Sequence, residues 1–347
     1  MQQEKENPTA AYETIKNALA INSDDASARQ VRHDIYAKNE FYTNSWRQDS
    51  AVGMTGFVPM TADSLLFCTN KNLVTILNRR GETVRAFTHP QTVMAAVFSP
   101  DGQLLITASF DTLRVWNVVN GGLNHIFSMQ ETETAGIAIA PTGNRLAIGG
   151  LDGTVVLSTI DGQRLQKMSH TAAVSALAFS PSGDSLLTGS NDKTVKLWSK
   201  TGRLLRSYAA HSDKVLSVAW LPDGTGFIST GRDAAVKIWS FKTGTANAIV
   251  AHERRVNHVS ISKDGRFFLT VSDDRTIRLW ATLRGEPLAI FRGHSDAVTS
   301  VAFSQNGLSF VSGSEDGTVK MWQTESKVVR RILTVPSSLP LTNDKPF

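Results

Sequence analysis

Four sets of residues in this chain combine an imidazole, a hydroxyl and a carboxylate. They are His170, Thr188 and Asp192; His211, Ser229 and Asp233; His252, Thr270 and Asp274; and His294, Ser312 and Asp316. Such a trio could activate a nucleophile, and imidazole with carboxylate could hold a divalent metal. Spacing argues for a different use. In every set the hydroxyl residue lies four before the Asp, and a Trp (Trp198, Trp239, Trp280 or Trp322) lies six after it. The four histidines step by 41, 41 and 42 residues, and so do the four tryptophans. A hydrolase needs one exposed nucleophile beside an oxyanion hole, not four equivalent copies. The expected role is a buried, mutually satisfied network that specifies packing. No phosphate-binding glycine loop, paired-His zinc motif or calcium loop is present. The Asp-Gly pairs at Asp101, Asp152, Asp161, Asp223, Asp264 and Asp316 read as turns. His33, His125 and His258 have no ligand spacing. No catalytic residue, cofactor or metal is expected.

The elements that must position these residues follow from one period. Residues 170–210 serve as the pattern. Val174-Ser175-Ala176-Leu177-Ala178-Phe179 is apolar on both faces and reads as a buried strand. Ser180-Pro181-Ser182-Gly183 is a turn, with proline presetting φ and glycine accepting positive φ at the close. Ser185–Ser190 is a second strand and Asn191-Asp192-Lys193 a polar turn. Thr194-Val195-Lys196-Leu197-Trp198 is a β-branched and aromatic third strand. Gly202 turns the chain into a fourth, Arg203 to Tyr208. Such a meander cannot hide both faces alone, so neighbours must stack on it. The first turn recurs as Ser99-Pro100-Asp101-Gly102, Ala140-Pro141-Thr142-Gly143, Leu221-Pro222-Asp223-Gly224, Ser262-Lys263-Asp264-Gly265 and Ser304-Gln305-Asn306-Gly307.

The order His, turn Asp, then Trp six residues on resembles the WD-repeat family, whose repeats fold as blades of a β-propeller. The resemblance covers residues 51 to about 335. It implies that each His, Ser or Thr, Asp and Trp set forms a buried hydrogen-bonded tetrad. It further implies an all-β fold: a seven-bladed β-propeller of four-stranded antiparallel blades. There are departures. Ser199, Ser240, Ala281 and Gln323 stand where the family has Asp after the Trp, and only His294 has Gly before it. The second segment has His89, Thr107, Asp111 and Trp116, but its turn is one residue shorter. The third keeps Asp152, with Gln130, Ile148 and Ser158 at the other positions. The first has Phe67, Lys71 and Leu77 for hydroxyl, Asp and Trp, yet its strands remain legible in Ser64 to Phe67 and Leu73 to Leu77.

The 347 residues, 41% hydrophobic, supply ample core for such an array. A single cysteine, Cys68, excludes a disulfide framework within the chain or a cysteine-rich zinc site. No apolar run approaches membrane-spanning length, and Met1 to Pro8 lacks a signal-peptide core. A soluble intracellular, cytoplasmic protein is expected. Net charge is +5 with a pI of about 9.3, but the positives are spread, as in Arg79-Arg80, Arg254-Arg255 and Arg330-Arg331. Nucleic-acid binders cluster them on one face.

Residues 1–45 read as a short N-terminal α-helical extension. Pro8 starts one helix carrying Ala11, Ile15, Ala18 and Leu19 on one face; Ser23-Asp24-Asp25 caps a second, with Val31 and Ile35 inward. Ala18 to Asp24 resembles the end of a tetratricopeptide repeat, although Ser23 stands where that family has proline. The expected domains are 1–45 helical, 51–335 propeller and 336–347 a flexible tail. The aromatic stretch Phe41 to Trp46 either docks on the first blade or adds an edge strand. Because Val328 to Leu333 already supplies a fourth strand to the last segment, an N-terminal strand is not required.

Function then falls to exposed positions that differ between blades. The resemblance places the blade-joining loops and the Asp-bearing turns on one rim, around a mouth of the central channel. The residue before each turn Asp gives Phe110, Leu151, Asn191, Arg232, Asp273 and Glu315. The residues after each repeat His add Asp213, Lys214, Arg254, Arg255 and Asp296. This predicts an apolar sector at Phe110 and Leu151, a basic one at Lys214, Arg232, Arg254 and Arg255, and an acidic one at Asp273, Asp296 and Glu315. Exposed apolar residues beside charges suit partner recognition. The expected function is a non-enzymatic scaffold or adaptor binding other proteins or peptides, with no membrane role. The alternatives are an RNA-binding propeller and a regulatory module of a larger signalling protein.

Overall fold

A computed structural model describes residues 42–48, 50–60, 65–129 and 133–324. Their strands form seven four-stranded antiparallel sheets. Six are meanders in chain order, at residues 55–88, 95–128, 134–169, 174–209, 215–250 and 256–291. The seventh takes Val298–Phe303, Ser309–Ser314 and Thr318–Gln323 from the end of the described chain and Tyr42–Arg47 from its start. From the second sheet to the seventh, first strands of successive sheets lie side by side, Val298–Phe303 of the seventh meets Thr55–Phe57 of the first, and the first packs on the second through a shared core. The sheets are therefore blades around one axis, a β-propeller.

The core lies between blades. Leu187, Val195 and Tyr208 of the fourth sheet pack with Val215, Val218, Phe227 and Trp239 of the fifth. Val74, Ile76 and Phe87 of the first pack with Ala96, Phe98 and Leu105 of the second. In the second to sixth sheets the second strand is sandwiched on both faces, so Ser185–Ser190 is buried from Leu186 onward. This is why these strands read as small and apolar without alternation. Side chains in the outermost strands mostly face solvent, as in Leu204–Ala209, where Tyr208 alone turns inward.

Of the two courses open to the aromatic stretch up to Trp46, the structure takes the edge strand, which Val328 to Leu333 was expected to make unnecessary. The last sheet's fourth strand is Tyr42–Arg47, antiparallel to Thr318–Gln323 with Ser45 opposite Lys320. Val328 to Leu333, expected in that place, lies outside the described residues, as do the two helices expected within 8–40 and the tail after 335. Trp46 secures the N-terminal strand by packing against Val52, Leu77, Val311, Val319 and Met321, which belong to both ends of the ring. The Asn44 side-chain amide donates to Arg79 O at 3.0 Å, and Gln48 N–H to Gly317 O at 2.7 Å. The strand also begins inside the segment 1–45 that the sequence reading assigned to helices.

Candidate interaction rim

The four repeat tetrads close as hydrogen-bonded chains. His170 Nδ1 lies 2.9 Å from Asp192, its Nε2 2.7 Å from Thr188 Oγ1, and Trp198 Nε1–H donates to that hydroxyl at 2.8 Å. The corresponding distances are 2.9, 2.9 and 2.9 Å at His211. They are 2.8, 2.8 and 2.8 Å at His252, and 3.0, 2.7 and 2.8 Å at His294. With Nδ1–H donating to the carboxylate, Nε2 accepts from the hydroxyl. Burial pushes all four imidazoles below their ordinary pKa, outweighing the neighbouring carboxylates. They are neutral at physiological pH. Burial also opposes ionisation of Asp192, Asp274 and Asp316. Donors from Thr194, Thr276, Thr318 and the paired histidines outweigh it and hold the three carboxyls well below the usual range. Thr188, Ser229, Thr270 and Ser312 are fully buried, so no substrate reaches these hydroxyls. Each Asp also ties loop to turn: Asp192 accepts Thr171 N–H at 3.1 Å and Thr194 N–H at 3.0 Å.

The second segment, whose turn is one residue shorter in the sequence, closes only part of the tetrad. His89 Nε2 meets Thr107 Oγ1 at 2.8 Å and Trp116 Nε1–H donates there at 2.9 Å, but His89 Nδ1 pairs with Phe87 O at 3.1 Å. Asp111 instead accepts from its neighbour Thr112 at 3.0 Å. Turn length is the cause. In the third, fourth, fifth and seventh sheets three residues join the second and third strands, the last of them left-handed (Gly153, Lys193, Ala234 or Gly317). In the second sheet only Phe110 and Asp111 intervene, and the carboxylate no longer reaches the His. In the third sheet Asp152 keeps its turn bonds to Thr154, at 2.8 Å each, without a tetrad behind it. Ser158 Oγ there is buried without a hydrogen-bond partner. Gln130 lies outside the described residues.

On the rim, Phe110 is 42% exposed and Leu151 47%. Thr134 N–H donates to Phe110 O at 2.7 Å, and Leu151 N–H to Glu133 O at 2.8 Å. Two consecutive residues thus hold the backbones of this apolar pair. Met94, 41% exposed, joins them through its N–H to Ala108 O at 2.8 Å. The sequence reading missed Met94. Counting five residues on from each repeat His would have found it, beside Ser175, Leu216, Asn257 and Thr299. Phe110 has a φ of +50°, a left-handed backbone that a bulky side chain rarely adopts. Strain of this kind is held by the surrounding structure and gathers at functional positions.

The charged sectors are not separate. Arg255 Nε lies 2.5 Å from Asp273 and its Nη2 3.9 Å from Glu315, while Arg232 lies 3.9 Å from Asp213. The loop that enters a sheet meets that sheet's own Asp-bearing turn, so Arg255, expected in the basic sector, pairs with Asp273, expected in the acidic one. Asn191 and Asp273 are half-buried rather than displayed, and Asp273 accepts Asn257 Nδ2–H at 2.8 Å. Asp296 is exposed and accepts Ala297 N–H at 2.8 Å. Among the described residues no ion pair engages Lys214 or Arg254. Among them, too, no group of three or more His, Cys, Asp or Glu is placed to hold a metal, and no helix is long and apolar enough to cross a membrane.

Residues 81–117, 162–199, 202–240, 245–281 and 285–323, together more than half of the chain, each match the family described as WD domain, G-beta repeat. Over 146 residues the chain is 28% identical to a protein of Arabidopsis thaliana, Transcriptional corepressor LEUNIG_HOMOLOG, covering 41% of this chain and 18% of that one. Over 121 residues it is 27% identical to Small ribosomal subunit protein RACK1y of Oryza sativa subsp. japonica, covering 34% of this chain and 36% of that one. The matched parts span about a fifth and about a third of these relatives.

Proposed function

The chain belongs to the WD-repeat family of β-propellers, and from that premise we propose that it is a non-enzymatic interaction scaffold that holds partner proteins on the rim of the Asp-bearing turns. Phe110 carries this reading: a large apolar side chain, displayed to solvent, on a backbone conformation that disfavours it. Leu151 and Met94 extend the same patch. The sealed hydroxyls of the tetrads support a non-enzymatic role. The relatives' names, a transcriptional corepressor and a small ribosomal subunit protein, sit with a scaffold rather than with an enzyme.

The test is quantitative partner capture with the wild-type chain and with Phe110→Ala/Arg232→Glu. Partners recovered by the wild type are expected to be lost from the variant while its melting temperature holds. Equal recovery of every partner from both proteins would sink the reading.

A further inference from the structure

We propose that the outer edge of the fifth sheet pairs with the same edge of a second copy of this chain, joining two blades antiparallel into one continuous sheet around a two-fold axis at Ala248. This surface is separate from the rim, which lies at the ends of the strands and not along their outer edge.

Every blade ends in an outermost strand with one row of backbone groups left over from its own sheet. Such edges recruit other strands unless a bulge, a charge or a proline blunts them. Tyr42–Arg47, Thr83–Thr88, Leu123–Ser128, Arg164–Ser169, Leu204–Ala209 and Glu286–Phe291 all break register with their inner neighbours. All but Leu123–Ser128 also carry charge: Arg47, Arg85, Arg164 with Lys167, Arg206, and Glu286, which precedes Pro287. Ala246–Val250 has neither defence. It runs in unbroken register, from Ala246 opposite Trp239 to Val250 opposite Ala235, with no charge and no proline. Val250 is 88% exposed.

Hydrogen bonds at its two ends fix which groups face out. Ser240 N–H donates to Thr245 O at 3.1 Å, and Ala251 N–H to Ala234 O at 3.3 Å. Alternation along an antiparallel ladder then turns the N–H and C=O of Ala246, Ala248 and Val250 away from the blade. This row is its own complement. Against a second copy, Ala248 exchanges both bonds with Ala248, and Ala246 with Val250 on either side. The facing side chains are alanine and valine, which suit a strand spacing of about 4.8 Å.

Charged groups stand at the ends of the strand. Lys242 is exposed in the turn before it, where the Arg206 guanidinium lies against Gly244. Glu253 and Arg254 are exposed beyond Val250. The antiparallel two-fold sets Lys242 and Arg206 beside Glu253 and Arg254 of the second copy, whereas a parallel pairing would set Lys242 against Lys242. Arg284, whose carbonyl accepts from Asn247, is paired with Glu286 at 3.8 Å. Lys237, opposite Ala248 in the ladder, lies over the Trp239 ring at 6.0 Å. A strand of 5 residues covers less than a permanent dimer needs, so a dissociation constant of about 10–100 µM is expected.

The experiment is sedimentation velocity of the full chain from about 1 to 300 µM. Its weight-average mass is expected to rise from 37.8 kDa toward twice that value. Ala248→Pro removes an outward N–H where an edge strand tolerates proline, and Ala248→Lys installs the missing charge without touching the backbone. Each is expected to raise the dissociation constant at least about tenfold. If the proline variant does not fold, the lysine variant decides. Ile126→Lys, on the bulged Leu123–Ser128, and Phe110→Ala, on the rim, are expected to leave association unchanged. Amide exchange at Ala248 and Val250 should slow as concentration rises. A chain that stays monomeric throughout, a dimer indifferent to Ala248→Lys, or a dimer dissolved by Ile126→Lys or Phe110→Ala overturns the proposal. The rim reading is tested separately, because partner capture responds to Phe110 and not to Ala248.

Discussion

Two aspartates at one repeat position behave differently, and the difference is local chemistry. The Asp274 carboxylate receives His252 Nδ1–H at 2.8 Å and Thr276 N–H at 2.9 Å, whereas among the described residues the Asp111 carboxylate receives the Thr112 hydroxyl alone. Asp274→Ala strands a buried imidazole N–H and is expected to lower unfolding free energy by about 1–3 kcal/mol. Asp111→Ala is expected to stay within about 0.5 kcal/mol. Urea titration of both variants checks this, and equal losses would contradict the assignment. The four full tetrads were legible because relative spacing alone defines them. The failure at Asp111 was half legible: the shortened turn shows in the sequence, but its consequence is a matter of reach. Likewise Arg255 and Asp273 were read as members of opposed sectors. Their ion pair depends on how two loops converge.

At the scale of the element, the proposed rim centres on one turn. Ser109 and Thr112 are joined by two residues, and Phe110 takes the position that favours glycine. Phe110→Gly is expected to leave stability unchanged or raise it by up to about 1 kcal/mol, while partner capture is lost. A thermal melt read beside a capture assay decides it. A clear drop in melting temperature would make Phe110 a packing residue instead. Strand existence was legible throughout the meanders, because turn residues and β-branched runs alternate in each segment. Met94 was legible only as a repeat position, five residues after His89; its exposure beside the turn of its own blade is a property of the folded sheet.

For the whole molecule, the decisive element is Tyr42–Arg47. Gly81 has a φ of +80°, and a Cβ there would stand 1.7 Å from Trp46 Cδ1, so the first sheet's outer turn and the closing strand fit one another. Trp46→Ala removes the side chain shared by both ends of the ring and is expected to cost about 2–3 kcal/mol. It should also speed hydrogen exchange in Thr318–Gln323 relative to Val215–Trp220. Unchanged relative protection would show that closure does not depend on this latch. By itself the sequence determined the all-β repeat, the family and the four tetrads that place its histidines in buried networks. Each of these depends on residue type at fixed spacing, which a period displays directly. Only the tertiary structure decided which strand completes the last sheet, which rim charges cancel, and which of the repeat's aspartates reaches its histidine. The first joins the two ends of the described chain, and the others turn on how far a side chain reaches across converging loops, which residue type at fixed spacing reports only in part.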